Sequence, residues 1–296
     1  MFFYVSLTFA SLVESKNYIS NKNYKAAIAE LDKSISNNPT SSKLYFLKAL
    51  VYEKTHNYQK AIDSYTTVIK LNPEHRKVYL LRGINYDKLE QYEKAIKDYS
   101  KAISQNPKVE SIYVLRGSTY KKINKNFQAL ADFSRAIHIS PTYKKAYLLR
   151  AKLYNSQKKY TKAIEDLTKL ITIAPDENSY YYLRGKSYDN LENNSAAIAN
   201  YSKAIKLSPL TAKYYYTRGL SYTHQKDFEQ ALEDYNEALK LDKNNSQYYF
   251  VRGLVFEQRK HYINAILDFQ DAIRITKDLK FKNKVQQHID NIEKQY

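Results

Sequence analysis

The prolines of this chain are spaced at one constant interval of 34 residues. All six obey it: Pro39, Pro73, Pro107, Pro141, Pro175 and Pro209. The five glycines keep the same interval, each lying ten residues after a proline slot: Gly83, Gly117, Gly185, Gly219 and Gly253. Proline and glycine normally scatter through loops, so a single phase for each indicates one structural unit that is repeated. The spacing therefore predicts a repeat array.

Eight units of 34 residues cover residues 8–279 when the proline is taken as position 32. The units begin at residues 8, 42, 76, 110, 144, 178, 212 and 246. Position 20 is alanine in all eight units, and position 11 is tyrosine in seven of them and phenylalanine in the last. We expect residues 1–7 to be an N-terminal extension and residues 280–296 to be a capping helix. The apolar stripe of that helix is Phe281, Val285, Ile289, Ile292 and Tyr296.

The apolar positions within a unit indicate two helices. Positions 4, 8 and 11 recur at intervals of four and three, which is one face of a helix, and positions 17, 20, 21, 24, 27 and 28 form a second such face. A few polar residues separate the two faces, and proline cannot continue the second helix. Each unit is therefore predicted to be a helix, a short turn and an antiparallel helix.

The third unit shows the full signature. Positions 4, 8, 11, 20, 24, 27 and 32 hold Tyr79, Gly83, Tyr86, Ala95, Tyr99, Ala102 and Pro107. This signature resembles the tetratricopeptide repeat, in a subtype with arginine and glycine at positions 7 and 8, over about nine-tenths of the chain. The resemblance implies an all-α, right-handed superhelical solenoid whose concave face, lined by the first helices, binds peptides or other proteins without catalysis.

Two features of the repeats are expected to be structural. A glycine inside a helix costs about 1 kcal/mol relative to alanine, so we expect position 8 to lie against the alanine at position 20. The arginines at position 7 are expected to pair with the aspartates at position 23 of the same unit, as Arg116 would with Asp132. The second unit lacks both partners, and the sixth pairs Arg184 with Asn200.

Composition leaves little room for catalysis. The chain has no cysteine, its six histidines lack metal-ligand spacing, and every glycine belongs to position 8. We therefore expect neither enzyme activity nor a cofactor or metal.

The first residues allow two interpretations. Residues 2–13 are apolar, but no lysine or arginine precedes Lys16, so the basic region of a signal peptide is missing. The segment is also shorter than the about 20 residues that span a bilayer. A degenerate first helix in a cytoplasmic protein is favoured, and an atypical leader for export is the alternative.

Positions that the repeat framework does not explain are candidates for binding. The resemblance implies that positions 2, 5, 9, 12 and 13 line the groove. At position 5 they are Leu12, Phe46, Leu80, Val114, Leu148, Tyr182, Tyr216 and Phe250, and the basic ones at the other positions include Lys43, Lys77, Lys121, Lys122, Lys145, Lys152, Lys186 and Lys213. The alternative interpretation is that the apolar row only covers the junctions between first helices and that the lysines form an ordinary solvated face.

A protein or peptide scaffold is the favoured function. The expected partner segment combines apolar or aromatic residues with carboxylates, because aromatic anchors supply affinity and charges supply steering. A clamp for chaperone C-termini is not expected, because the lysine it needs at position 5 is replaced throughout by apolar or aromatic residues. The alternative is single-stranded nucleic acid, which the net charge of +18 and the 31 tyrosines would favour. The basic residues, however, are spread along the whole chain.

Overall fold

The computed structural model describes residues 13–294, and the predictions for residues 1–12 and for Tyr296 lie outside this range. Residues 13–20 are helical, sixteen further helices follow, and no described residue is in a strand. In chain order the sixteen are α1 Tyr24–Asn37, α2 Ser42–Lys54, α3 Tyr58–Leu71, α4 Val78–Lys88, α5 Tyr92–Gln105, α6 Glu110–Lys122, α7 Asn126–Ile139, α8 Lys144–Ser156, α9 Tyr160–Ile173, α10 Asn178–Asp189, α11 Asn194–Leu207, α12 Ala212–His224, α13 Phe228–Leu241, α14 Ser246–Gln258, α15 Tyr262–Ile275 and α16 Leu279–Glu293.

The helices alternate in the predicted way. The even-numbered helices from α2 to α14 are the first helices of repeats two to eight. The odd-numbered helices from α1 to α15 are the second helices of repeats one to eight. Contacts between Cα atoms group the chain into two compact units, one ending at Leu149 and one beginning at Arg150. In each unit a first helix packs on the second helix of its own repeat, which packs on the next first helix. The predicted all-α solenoid of helical hairpins is confirmed.

The second helix of each repeat carries the core. The alanines at position 20 are fully buried in all eight repeats. The large side chains at position 24 are also buried, with Tyr65, Tyr201, Tyr235 and Phe133 each 0% exposed. A small residue one turn before a large one lets the two helices approach closely while the ring fills the space between them.

The predicted neighbour of the position-8 glycines is wrong. A Cβ atom built on Gly117 would lie 2.8 Å from Cε1 of Phe133 and 3.1 Å from Cβ of Asp132. At Gly185 it would lie 2.6 Å from Cε1 of Tyr201. The glycine therefore makes room for the ring at position 24 and for the carbon next to it, rather than for the alanine at position 20.

The turn inside each repeat has a left-handed residue that is not glycine. Position 15 has φ between 58° and 61° in all eight repeats. The residues are Lys22, His56, Glu90, Asn124, Lys158, Glu192, Lys226 and Lys260. The next amide donates back across the turn, as the N–H of Asn57 does to the carbonyl of Tyr52 at 2.8 Å. This hydrogen bond caps the C-terminal end of the first helix, although most of these side chains do not favour a positive φ.

The predicted ion pairs between positions 7 and 23 are confirmed. Arg116 donates from Nε and Nη2 to the two carboxylate oxygens of Asp132 at 2.9 and 2.7 Å, and these bonds raise the pKa of the arginine above its usual range. Both side chains are mostly buried, with 19% and 7% exposed. The same pair recurs as Arg82–Asp98, Arg150–Asp166, Arg218–Asp234 and Arg252–Asp268. In the sixth repeat, Arg184 Nε donates to the amide oxygen of Asn200 at 2.8 Å.

The same arginines also reach the preceding repeat, which the sequence did not suggest to us. Nη1 of Arg116 donates to Oγ of Ser100, at position 25 of the repeat before, at 2.9 Å. Arg82 and Arg218 donate in the same way to Thr66 and Ser202. In repeat two the residue at position 7 is Lys48, whose ammonium pairs with Asp32 at position 25 of repeat one. Position 7 therefore links successive repeats as well as the two helices of one repeat.

The last helix covers the apolar end of repeat eight. Val285, Ile289 and Ile292 of the predicted stripe are buried there in one cluster with Phe250 and Phe269. The carboxylate of Asp278 accepts from the first amides of α16 and so caps its N-terminus.

The contact at position 8 predicts a coupled pair of substitutions. Gly117→Ala should destabilise the protein by about 1–2 kcal/mol, because the ring of Phe133 must shift. The cost of this shift should exceed the gain from the higher helix propensity of alanine. Repeat five carries Ala151 and Leu167 at the same positions, so Phe133→Leu should relieve the clash. Urea unfolding followed by circular dichroism would show that the double variant loses less than the sum of the single ones; strictly additive losses would contradict the contact.

The ion pair at Arg116 predicts a difference between two replacements of its partner. Asp132→Ala leaves a mostly buried guanidinium without its carboxylate and should cost about 2–3 kcal/mol. Asp132→Asn reproduces the sixth repeat and should cost less than half as much. In a double-mutant cycle, Arg116→Ala and Asp132→Ala should couple by about 1 kcal/mol or more in urea unfolding. Equal losses for the alanine and asparagine variants would show that the pairing is not what stabilises this site.

Candidate functional site

The candidate residues lie on one side of the first helices. Positions 2, 5, 9 and 12 follow each other at intervals of three or four residues, and position 13 lies four residues after position 9. These positions therefore share a helix face, which we name the first-helix face. On it, Lys145 and Lys152 are exposed on α8, Lys186 on α10 and Lys213 on α12. The lysine positions predicted from the sequence are therefore accessible to a partner.

The aromatic residues at position 5 are used mainly to join neighbouring repeats. Tyr182 packs on Tyr214 of the next first helix with ring centroids 5.1 Å apart, and Tyr216 packs on Tyr248 at 4.9 Å. Tyr182 and Phe250 are only 8% and 5% exposed, while Tyr216 is half-buried. These contacts agree with the alternative interpretation, in which the residues at position 5 cover the junctions between first helices.

The candidates at position 5 of the N-terminal unit have similar surroundings. The ring of Phe46 lies 4.7 Å from that of His75 and 5.8 Å from that of Tyr65, between centroids. Leu80 is half-buried against a cluster that contains Tyr99, and Leu148 is half-buried on α8. Each of the three contributes to packing and keeps only part of its surface open.

Two pairs of predicted residues are brought together in the C-terminal unit. The ammonium of Lys213 lies 4.8 Å above the ring centroid of Tyr182, a cation–π contact across adjacent first helices. Lys152 and Lys186 line one open depression of about 230 Å³. We call it the lysine depression; its other lining residues are Asn155, Tyr160, Leu183 and Asn190.

The two asparagines of the lysine depression are held by hydrogen bonds. The amide oxygen of Asn155 accepts from the hydroxyl of Ser187 at 2.9 Å, which leaves its N–H₂ group for other acceptors. The N–H₂ group of Asn190 donates to the backbone carbonyl of Lys186 at 2.7 Å. The depression is thus lined by two ammonium groups and two amides, and by no carboxylate.

A ladder of polar contacts between repeats runs along the same side. An acceptor at position 12 takes a hydrogen bond from a polar side chain at position 10 of the next repeat. The rungs are Glu53–Asn85, Asp87–Thr119, Asn155–Ser187 and Asp189–Ser221. Position 10 was not among the positions predicted from the sequence; its signal is a small polar residue in these repeats, two residues after the buried position 8. The ladder fixes the direction of the position-12 groups.

Tyrosine hydroxyls at position 24 join this ladder. Tyr201 donates to Asp189 at 2.5 Å and Tyr65 to Glu53 at 2.9 Å. Burial first, and then the adjacent carboxylate, raises the pKa of both tyrosines well above the ordinary value. The buried phenols therefore stay protonated at neutral pH and satisfy the carboxylates.

The described residues contain neither a metal-ion cluster nor a membrane-spanning helix. Among residues 13–294, no group of three or more histidine, aspartate or glutamate side chains is placed to hold a metal ion. No helix of that range combines the length and apolar character needed to cross a membrane.

Comparison with protein families gives tetratricopeptide matches along most of the chain. Families described as "Tetratricopeptide repeat" match residues 212–245, 144–177 and 179–209. The family "Psidin, N-terminal TPR repeats region" matches residues 17–125. A comparison with curated protein sequences gave no match.

Solved structures with the same fold include several repeat proteins. The C-terminal part of a TPR repeat-containing protein from Cytophaga hutchinsonii is 21% identical, with a TM-score of 0.72, over 79% of this chain and 96% of that one. A tetratricopeptide repeat protein from Parabacteroides merdae is 21% identical, with a TM-score of 0.58, over 85% and 99%. YrrB, described as a TPR protein with an unusual peptide-binding site, is 17% identical, with a TM-score of 0.54, over 64% and 97%.

The repeated helical hairpins and the family matches define the class of this molecule. The chain belongs to the tetratricopeptide repeat family. Such repeats generally serve as non-catalytic scaffolds, and membership supports a general role in protein–protein interaction.

The raised pKa of Tyr201 predicts a pH dependence of stability. The stabilisation is fully present below the unfolded-state pKa of about 10 and is lost as the pH rises above it, because the unfolded tyrosine then ionises while the folded one does not. Tyr201→Phe should cost about 1–2 kcal/mol at pH 8 through the lost hydrogen bond. At pH 11 this difference should shrink by about 1.4 kcal/mol. Urea unfolding at both pH values measures it, and a constant difference would contradict the assignment.

Proposed function

We propose that the chain is a non-catalytic scaffold whose first-helix face, in the C-terminal unit, binds an extended acidic segment of a partner protein. The observation that carries the proposal is the set of exposed lysines Lys152, Lys186 and Lys213. Within residues 13–294 none of them forms an ion pair with a carboxylate. Cations left without counter-charges attract and orient acidic ligands.

Apolar contacts would come from half-buried side chains between these lysines. Leu183 lines the lysine depression, and Leu220 and Tyr216 are half-buried on α12. Tyr182 and Phe250 contribute through packing, because little of either ring is accessible. A segment that alternates aliphatic residues with aspartate or glutamate matches this surface. The peptide-binding site described for YrrB is a further reason to expect a peptide partner.

Charge reversal on the first-helix face tests the proposal. The triple variant Lys152→Glu, Lys186→Glu, Lys213→Glu should lose the partner proteins that cross-linking captures from a cell extract, by about tenfold or more in yield. The matched control is Lys169→Glu, Lys206→Glu, Lys226→Glu, which changes three exposed lysines elsewhere in the same unit by the same total charge. Both variants should keep the wild-type helicity by circular dichroism.

The control variant also distinguishes an effect of net charge from an effect of where the lysines lie. Equal losses in the two variants would mean that net charge alone drives capture, and unchanged capture in both would refute binding at this face. Recovery of nucleic acid, with binding that falls steeply with salt, would favour the single-stranded nucleic-acid alternative instead. The cytoplasmic location stays a prediction.

A further inference from the structure

Two features set the lysine depression apart from the corresponding places in other repeats: lysine at position 9 of two successive repeats, and an amide at position 12 of the first of them. Position 12 is a carboxylate in repeats two, three, six and eight, as Glu53, Asp87, Asp189 and Glu257. In repeat five it is the amide Asn155, which keeps the ladder bond from Ser187. The ladder therefore stays intact while the local negative charge is removed.

An acid at position 12 can pair with a lysine of the next repeat. Lys122, at position 13 of repeat four, donates to Asp87 at 2.6 Å, whereas position 13 of repeat six is Asn190. Between repeats five and six, Lys152 and Lys186 meet Asn155 instead. The adjacent Asp189 already accepts from Tyr201 and Ser221.

We propose that the lysine depression is a binding site for a carboxylate on the partner segment, formed because position 12 of repeat five is an amide. This proposal rests on the proposed function, in which the lysine depression supplies one of the contacts between the first-helix face and the partner segment. Lys152 and Lys186 supply the charge, the N–H₂ group of Asn155 supplies a directed donor, and Leu183 contacts the side chain that carries the carboxylate. Charge-assisted hydrogen bonds of this kind are about twice as strong as neutral ones.

A glutamate or aspartate side chain fits these donors better than a phosphorylated one. Recognition of a phosphoryl group typically uses the paired donors of arginine, and no arginine lines the depression. The arginine of repeat six, Arg184, donates instead to Asn200 and Thr168.

Asn155→Asp is the variant that separates binding from folding. Aspartate at this place restores the arrangement of repeat six, where Ser221 donates to Asp189 at 2.7 Å, so the fold should be kept. The new carboxylate would occupy both lysines. The matched control is Asn193→Asp, which adds the same charge at the N-cap of α11, where Asn193 accepts from the amide of Ala196 and aspartate caps equally well.

The measurement is fluorescence polarisation with labelled hexapeptides of alternating leucine and glutamate, titrated with the full chain. The glutamate peptide should bind at least tenfold more tightly than its glutamine counterpart. Asn155→Asp should abolish that preference, and Asn193→Asp should keep it, at equal thermal stability. A third peptide carries phosphoserine in place of glutamate.

Several results would overturn the carboxylate site. Equal binding of the glutamate and glutamine peptides, or no binding of either to the wild type, would do so. An unchanged preference for glutamate in Asn155→Asp would also do so. The last such result is tighter binding of the phosphoserine peptide to the wild type, if Asn155→Asp removes that binding. If capture of partners still fails with the triple lysine variant but not with Asn155→Asp, the scaffold function stands and the carboxylate site alone is refuted.

Discussion

The contact between the ring at position 24 and the backbone at position 8 sets how closely the two helices of a repeat approach. A Cβ atom at Gly185 would start 2.6 Å from the Tyr201 ring, so a larger residue there requires the ring or the helices to shift. Repeat two has made such an adjustment, because Ala49 and Tyr65 are both buried in one cluster. The Tyr201 ring also carries the hydroxyl that meets Asp189. Helix spacing and the polar ladder are therefore fixed by one side chain.

Position 7 and the ladder extend this local order from one repeat to the next. Arg82, Arg116 and Arg218 each hold an aspartate in their own repeat and a hydroxyl in the preceding one. Arg252 reaches the amide oxygen of Asn236 in the same way. On the other side of the first helix, position 12 receives the next repeat's position 10. Neighbouring repeats are thus coupled at two separate places, as expected where stability comes from interfaces between repeats. Side chains on the first-helix face, including Asn155, are oriented by this coupling before any ligand arrives.

Much of this could be predicted from the sequence, because the framework depends on periodic residue types. The 34-residue interval between prolines such as Pro107 and Pro141 predicted the repeat length, and Arg116 with Asp132 predicted the ion pair. The neighbour of glycine was predicted wrongly, since spacing along a helix does not reveal which residue of the opposing helix lies closest. The burial of Tyr182 depends on Tyr214 in the next repeat, a contact between repeats that periodicity alone cannot assign. Asn155 was not singled out, because its hydrogen bond from Ser187 of the next repeat is likewise a contact between repeats.

The sixth repeat has a further property. Its position 12 is Asp189 and its position 10 is Ser187, its position 7 is Arg184 and its position 25 is Ser202. At other junctions an aspartate at position 12 accepts from a serine at position 10 of the next repeat, and an arginine at position 7 donates to a serine at position 25 of the preceding repeat. A tandem duplication of this 34-residue block would match both kinds of polar link at the added junction. The third repeat shares this property through Asp87, Asn85, Arg82 and Ser100. Longer arrays could therefore arise from either block in a single genetic step, without first acquiring compensating substitutions.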